Sequence, residues 1–308
     1  MASKFEVTIL GCNSSQPTLD RMLTSQVVDI DGSCYLIDCG EGTQIQMTKY
    51  RVKRNNIRAV FISHFHGDHL YGLPGFITSF LHFSRIKPLL VFGPVGIKKY
   101  LDTIFEISQV HLDFELNVIE TDVDKSSMIY SDDKVEVHNF TLSHRIPTQG
   151  FIFKEKISEF QIKSDSIAKY QLTFEDIRTL KSGKNISKGD GINITVVDTC
   201  YPINTPRSYA FMSDTSPLNE IPACLEEVEV LYHETTYLND LSYLSEERGH
   251  STTIQAAEFA KRVQCKKLIV GHYSSRYGDI KVFEEECRSV FTNTAAAFDG
   301  MKVTVSKI

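Results

Sequence analysis

The feature that most constrains this chain is a hexapeptide with three histidines and one aspartate, His64-Phe65-His66-Gly67-Asp68-His69. It follows an apolar run at 59–63 that predicts a buried strand. In extended backbone the first two histidines can point the same way, whereas the aspartate and the third histidine lie beyond a glycine turn and can reach a second point. Such imidazole and carboxylate groups suit two adjacent metal ions, with zinc as the expected metal. The alternative is a surface loop that happens to be rich in histidine.

Further stretches share one feature, an apolar strand that stops at an acid or a histidine. These strand ends carry His144, Asp214, His233-Glu234 and His272. Polar side chains at the ends of packed strands converge on one cleft. Taken alone, each of these residues is more simply interpreted as a hydrogen-bonded histidine of the core or as a turn residue. Several such strand ends beside the hexapeptide favour a metal site. Two zinc ions close together need a bridging carboxylate, and Asp214 is the candidate.

Length and composition limit the possible fold class and cellular compartment. A chain of 308 residues, 42% hydrophobic and 23% charged, suits one large α/β domain. No apolar run approaches about 18 residues, which predicts no transmembrane helix, and the N-terminus lacks the pattern of a signal peptide. The seven cysteines include no C-x-x-C pair, so we expect neither a disulfide framework nor a thiolate zinc site, and we expect a cytoplasmic protein. The net charge of −6 argues against non-specific coating of nucleic acid but allows a local basic surface.

Strand and helix patterns alternate along both halves of the chain, which predicts layered α/β with helices outside a pair of sheets. The clearest predicted strands lie at 5–10, 26–30, 34–38 and 267–270, and the clearest predicted helices at 70–83, 96–105 and 252–262. Gly72 and Pro74 are expected to interrupt the first of these helices early. A basic cluster at Lys49, Arg51, Lys53 and Arg54 is interpreted as a solvated face.

A polar, lysine-rich segment at 154–190 breaks this pattern. It carries eight basic and six acidic side chains, a net of +2 in an otherwise acidic chain. A flexible surface insertion and an RNA-contacting arm are equally compatible with this composition.

The H-x-H-x-D-H stretch resembles the metallo-β-lactamase superfamily, whose fold is a four-layered αββα sandwich. The longer run at 62–75 resembles, more specifically, the ribonuclease Z family of tRNA 3′-processing endonucleases. Stretches similar to that family also occur at 10–18, 38–44, 93–97, 233–237, 250–252 and 271–277. The resemblance covers nearly the whole chain. It implies a single metallo-β-lactamase-like domain over 1–308, with residues 154–190 as a tRNA-binding arm.

The resemblance also implies a role for each site residue. The first zinc ion would be held by His64, His66 and His144, the second by Asp68, His69 and His272, with Asp214 bridging the two. Asp68 would orient or deprotonate the attacking water, and His250, oriented by Glu234, would protonate the leaving oxygen. For His250 the alternative is a structural residue just before a helix. Ser274 and Arg276 could grip the flanking phosphate.

The activity so implied is zinc-dependent removal of the 3′ trailer from precursor tRNA, leaving a 3′-hydroxyl on the tRNA and a 5′-phosphate on the trailer. A homodimer is implied too. The segment 154–190 lacks the Gly-Pro-rich tip with which bacterial members grip the tRNA elbow, and 170–174 stands in its place. Two alternatives stay open. One is a hydrolase of the same fold acting on a small phosphodiester, sulfate ester or thioester, and the other is a non-catalytic RNA- or metal-binding scaffold.

Overall fold

The computed structural model describes residues 4–157, 160–189, 191–203 and 205–306. In chain order its strands are β1 (Phe5–Gly11), β2 (Ser25–Ile30), β3 (Ser33–Ile37), β4 (Ile57–Phe61), β5 (Leu89–Pro94), β6 (Leu116–Thr121), β7 (Ser127–Ser131), β8 (Val135–Leu142), β9 (Thr148–Glu155), β10 (Phe160–Ile162), β11 (Ile186–Ser187), β12 (Asn193–Ile194), β13 (Cys200–Pro202), β14 (Ser208–Met212), β15 (Val230–Glu234), β16 (Lys267–Gly271), β17 (Thr294–Ala296) and β18 (Lys302–Thr304).

The helices are α1 (Thr43–Lys49), α2 (Gly67–Leu70), α3 (Leu73–Ser79), α4 (Ile97–Ile107), α5 (Ser164–Lys169), α6 (Phe174–Lys181), α7 (Val196–Thr199), α8 (Ser242–Arg248), α9 (Thr253–Arg262) and α10 (Lys281–Arg288). Short 3₁₀ turns lie at Arg54–Asn56, Phe80–Phe83, Ala223–Leu225 and Asn239–Leu241. No helix within these described residues combines the length and apolar character needed to cross a bilayer.

Two seven-stranded sheets, counted over the described residues, form the middle of the molecule. Their strand orders are β18-β1-β2-β3-β4-β5-β6 and β17-β16-β15-β14-β9-β8-β7. Strands β3 to β6 run parallel in the first sheet, and strands β14 to β17 run parallel in the second. The carboxyl ends of neighbouring parallel strands lie at the same edge of a sheet, which is the usual place for a site.

Aromatic side chains fill the space between the sheets. Phe61 of β4 meets Phe151 and Phe153 of β9, with ring centroids 5.6 and 5.4 Å apart. Helices α1, α3 and α4 cover the outer face of the first sheet through a separate apolar cluster, and α9 and α10 cover the second. The layers are therefore helix, sheet, sheet, helix, and the predicted αββα fold is confirmed.

The helical stretch over 70–83 is interrupted early, as predicted, and consists of three short elements, α2, α3 and a 3₁₀ turn. The break falls at Gly72, whose N–H donates to the Cys39 carbonyl at 2.8 Å. A Cβ at this position would lie 2.3 Å from the Gly40 carbonyl oxygen. The chain must pass this close to the loop after β3, and only glycine permits it.

The segment between β9 and β14, residues 156–207, is hereafter called the arm. Strand β10 pairs with β13 at its base, and five buried residues make a small core of its own: Leu172, Leu180, Ile194, Val196 and Cys200. This folded unit continues past the predicted end at 190, because apolar residues beyond that point pack back onto α6. Two of the six acidic side chains of 154–190, Glu159 and Asp190, lie outside the described residues.

Candidate active site

Side chains that could hold metal ions meet where the strands of both sheets end. One group consists of His64, His66, His144 and Asp214, and another of Asp68, His69 and His272. A third group, Asp214 with His250 and His272, overlaps both. Within each group the donor atoms lie within 4.8 Å of one another. The structure therefore brings together all seven predicted ligands, in the two sets that the resemblance implied.

Spacing in the first group is that of ligands around one ion. His66 Nδ1 lies 3.1 Å from His64 Nε2 and 3.3 Å from His144 Nε2. Asp214 Oδ2 lies 3.7 and 3.8 Å from the same two Nε2 atoms. Nitrogen ligands at about 2.0–2.1 Å from a tetrahedral zinc ion are about 3.3–3.4 Å apart. The two distances from His66 Nδ1 are close to this separation.

Asp214 joins the two groups. Its Oδ1 lies 3.3 Å from His69 Nε2 and 3.1 Å from His272 Nε2, which are themselves 3.3 Å apart. Asp68 Oδ2 completes this group at 3.7 and 3.5 Å from the same two nitrogens. Oδ1 of Asp214 is buried and accepts no hydrogen bond from a described residue. A buried carboxylate oxygen without a donor is costly, and a cation between the groups would satisfy it.

Partners on the far side of the rings fix which nitrogen faces the centre. The outer Nδ1 atom of His69 contacts Asp38 Oδ2 at 2.7 Å, that of His144 the Gly249 carbonyl at 2.6 Å, and that of His272 the Thr236 hydroxyl at 2.9 Å. Each of these oxygens can accept an N–H, so the inner Nε2 atoms keep their lone pairs. This is the tautomer that binds metal.

Asp38 supports the centre and was not among the predicted site residues. It is buried at the end of β3, where its carboxylate accepts hydrogen bonds from Ser63 N at 2.8 Å, Ser63 Oγ at 2.9 Å and His69 Nδ1 at 2.7 Å. Its φ of 52° is in the left-handed region, a strained conformation that tends to occur at functional sites. The sequence signal was the same as for the ligands, a strand that stops at an acid.

The charge states suit a cation. Burial lowers the pKa of His64, His66 and His144, so these imidazoles are neutral. Burial opposes ionisation of Asp214, but His272 and His69 outweigh it and hold the pKa of Asp214 well below its usual range. His69 is the exception, since Asp214, Asp68 and Asp38 raise its pKa despite burial. Bound cations would balance the negative charge of these three carboxylates.

A His–carboxylate pair stands beside the two groups. His250 Nδ1 lies 3.0 Å from Glu234 Oε1, and the His250 ring is 5.0 Å from that of His144. Burial favours neutral His250, but Glu234 outweighs it and raises the pKa of the imidazole to about 8. At neutral pH His250 therefore carries a proton. The cap of α9 is made by Thr252 and not by His250.

Glu234 is held by four donors. Its Oε1 accepts from the N–H groups of Thr215 and Ser251 at 3.1 and 2.9 Å, and its Oε2 accepts from the N–H and hydroxyl of Thr236 at 2.9 and 2.8 Å. These donors stabilise the ionised carboxylate in a buried place. Thr236 also contacts His272, so the pair and the second ligand group share one support.

A cavity of about 500 Å³ opens over these residues. Its walls include Asp68, Asp214, His250 and His272, together with Arg145, which was not among the predicted site residues. The loop after β1 also contributes: the Ser15 N–H donates to Asp68 Oδ2 at 2.6 Å. Arg145 directly follows the candidate ligand His144 in the chain. This adjacency is the sequence feature that could have predicted its place in the cavity wall.

Ser274 and Arg276 are not part of this cavity wall. Arg276 Nε donates to Ser274 Oγ at 3.3 Å, and its guanidinium lies 5.4 Å from the Tyr237 ring centroid. Their proposed grip on a phosphate stays a prediction. His233 contacts the Glu234 carbonyl at 2.7 Å and packs on Phe259, which is a structural role.

Fold and site together define a hydrolase of the metallo-β-lactamase fold. The structure is similar to that of human tRNase Z, short form, with a TM-score of 0.71 and 25% identity over 98% of this chain and 100% of the other. The Bacillus subtilis metallo-β-lactamase fold protein YhfI shares the fold with a TM-score of 0.69 and 15% identity, over 98% of this chain and 99% of its own. A family model described as anti-Pycsar protein Apyc1 matches residues 5–157.

Among curated relatives, Ribonuclease Z of Parabacteroides distasonis is 36% identical over 98% of this chain and 99% of its own length. Ribonuclease Z of Porphyromonas gingivalis is 36% identical over 97% of this chain and 98% of its own length. The chain belongs to the ribonuclease Z family. The predicted enzyme class, a hydrolytic endoribonuclease, is thereby confirmed.

Proposed function

We propose that the protein is a zinc-dependent endoribonuclease that removes the 3′ trailer from precursor tRNA. The products would be a tRNA with a 3′-hydroxyl and a trailer with a 5′-phosphate. The observation that carries this proposal is the His250–Glu234 pair beside two ligand groups that share Asp214. A ribose oxygen is a poor leaving group as an alkoxide, so a proton donor beside the reacting phosphate is what RNA hydrolysis needs.

The roles of the side chains follow from their contacts. Two bound divalent cations would lower the pKa of a water molecule and offset the charge of the phosphate. Asp68 is ionised, because His69 and His272 outweigh the effect of burial and lower its pKa, and it would accept a proton from the attacking water. His250 uses Nδ1 toward Glu234, which leaves Nε2 to donate a proton to the leaving oxygen. Arg145 adds positive charge at the cavity wall for the RNA backbone.

The donor set supports zinc, with two ions per subunit. Five imidazoles and two carboxylates surround the two positions, and nitrogen-rich sites of this kind suit zinc better than magnesium or calcium. The seven cysteines are free thiols, which agrees with the predicted cytoplasmic location. The homodimer stays a prediction.

The arm is proposed to bind the tRNA away from the cut. Four cationic side chains on it are exposed: Lys169, Arg178, Lys181 and Lys184. Two others are engaged within the arm, since Lys163 donates to backbone carbonyls and Lys188 pairs with Asp176 at 3.3 Å. The exposed set can contact phosphates without disturbing the fold of the arm.

The test is cleavage of a precursor tRNA with a 3′ trailer, mapped to the nucleotide, beside the Asp68→Ala variant. We expect a single cut at the 3′ end of the acceptor stem. The cut should disappear when a chelator removes the metal, return when zinc is added, and be absent in the variant. Hydrolysis of bis(4-nitrophenyl) phosphate without any cut in the RNA would contradict the proposal.

The second candidate is a hydrolase of a small phosphodiester, sulfate ester or thioester on the same centre. The Apyc1 model matches residues 5–157, which contain the hexapeptide and His144 but neither Glu234 nor His250. The matched part therefore lacks the proton donor that suits an RNA leaving group. The ratio of rates on precursor tRNA and on bis(4-nitrophenyl) phosphate separates the two candidates. A non-catalytic scaffold is opposed by the complete set of seven donors.

A further inference from the structure

A second cavity, of about 600 Å³, lies beside the catalytic one, and His250 belongs to the walls of both. Its other walls come from the loop after β14, from α8 and from the first turn of α9. They include Ser216, Tyr243, Glu246 and Gln255. A volume of several hundred Å³ suits one nucleoside.

We propose that this second cavity binds the base of the nucleotide on the 5′ side of the cut, the one that keeps the new 3′-hydroxyl. The inference rests on the proposed function, in which His250 protonates the O3′ of that nucleotide. The catalytic cavity with the ligand groups lies on one side of His250, whose ring is 5.6 Å from that of His272. A nucleotide joined to the protonated oxygen therefore continues past the imidazole, into the space that the second cavity provides.

The walls of the second cavity suit a base better than a phosphate. Tyr243 is 63% exposed, so its ring is open to stacking. The Glu246 carboxylate makes no hydrogen bond or ion pair with any residue in the described part of the chain. A free carboxylate repels phosphate but accepts hydrogen bonds from base N–H groups. Gln255 accepts from Thr252 N with Oε1 at 2.9 Å, which leaves its amide nitrogen free to donate.

The test pairs protein variants with a change in the substrate. Precursor tRNA is made with either a normal or an abasic nucleotide immediately 5′ of the cut, and kcat/KM is measured for wild type, Tyr243→Ala and Tyr243→Phe. With the normal nucleotide we expect Tyr243→Ala to lose about 10-fold to 100-fold and Tyr243→Phe to stay near wild type, because stacking needs the ring and not the hydroxyl. Wild type should lose a similar factor on the abasic substrate, whereas Tyr243→Ala should lose little more.

Glu246→Gln tests the polar wall, and Glu247→Gln is its matched control, since Glu247 neighbours it on α8 but does not line the cavity. We expect Glu246→Gln to change the relative rates with the four bases at this position and Glu247→Gln to leave them unchanged.

Two results would overturn the inference. If the abasic nucleotide lowers kcat/KM equally in wild type and Tyr243→Ala, the ring does not contact that base, even though the protein cleaves tRNA. If wild type hydrolyses bis(4-nitrophenyl) phosphate but leaves the RNA intact, the proposed function fails and the inference fails with it. Unchanged thermal unfolding of the Tyr243 variants would show that the losses are not due to misfolding.

Discussion

The catalytic centre and the arm are built in opposite ways. In the centre, His69 lies between Asp214 and Asp38, and His272 lies between Asp214 and Thr236, so these two candidate ligands are each held from two sides. In the arm, side chains bond to other parts of the arm, as where Thr173 and Asp176 bond to each other's backbone at the start of α6 and where Lys163 donates to backbone carbonyls of α7. The arm core has five buried residues, whereas Phe174 on its surface is 86% exposed.

This contrast has consequences for how each region tolerates change. In the centre, one residue contacts more than one candidate ligand. A substitution of such a residue therefore also disturbs the position of its neighbours. A unit with its own small core can vary in sequence as long as that core stays filled. The absence of a Gly-Pro tip from the arm is therefore compatible with an intact centre.

The largest effect is expected from Asp214, the residue common to both ligand groups. Asp214→Ala should lower zinc content and reduce RNA cleavage by more than the about 100-fold typical of supporting residues. Metal analysis of the purified protein and cleavage rates measure the two effects. Asp124→Ala, at an exposed acid, is the control and should keep both. Full zinc content in Asp214→Ala would show that the carboxylate does not bridge.

His250→Asn should cost about 10²-fold to 10⁴-fold in kcat on RNA, the usual contribution of a general acid. Since the acid must be protonated, wild-type kcat should hold at neutral pH and fall as the pH rises through about 8. Glu234→Gln removes the charge that raises the pKa of His250, so the fall should move to lower pH. An identical pH profile in Glu234→Gln would contradict this role for the pair.

Asp38→Asn should cost about 10-fold to 100-fold in zinc affinity, because the amide can still accept from His69 through one oxygen but loses the negative charge. Zinc titration of the metal-free protein, followed by cleavage rate, measures it. Asp29→Asn, at a partly buried aspartate of β2 that pairs with Lys4, is a control of the same chemistry. Equal affinity in Asp38→Asn and wild type would mean that the ligands need no support from β3.

The comparison also shows what the sequence could and could not predict. The convergence of the candidate ligands in the hexapeptide and at strand ends was predictable, because their pattern is local in the chain. The role of Asp38 was not, although β3 also stops at this acid, since the role depends on the parallel pairing of β3 with β4, which places Ser63 over the end of β3. The pairing of β18 with β1 joins the two ends of the chain and has no local signal. The extent of the arm was hidden by its polar first half.

On the arm, Arg178→Ala, Lys181→Ala and Lys184→Ala together should raise KM for precursor tRNA about 10-fold and keep kcat. Each lost phosphate contact should reduce the slope of log affinity against log salt by about 0.9, so the slope is the sharper readout. A matched triple variant at exposed lysines outside the arm, Lys87, Lys98 and Lys125, is the control. An unchanged salt slope in the arm variant would remove the arm from tRNA binding.

The smallest effect on the rest of the fold is expected from Leu180→Ala in the arm core. Loss of this buried side chain costs about 2–5 kcal/mol where it packs, but the arm contacts its own core rather than the space between the sheets. Hydrogen exchange should therefore speed up in the arm, while the main unfolding transition stays in place. Leu231→Ala, at an equally buried leucine of β15, should lower that main transition instead. If Leu180→Ala lowers it as much as Leu231→Ala does, the arm and the sandwich unfold as one unit, and the contrast between the two regions does not extend to their stability.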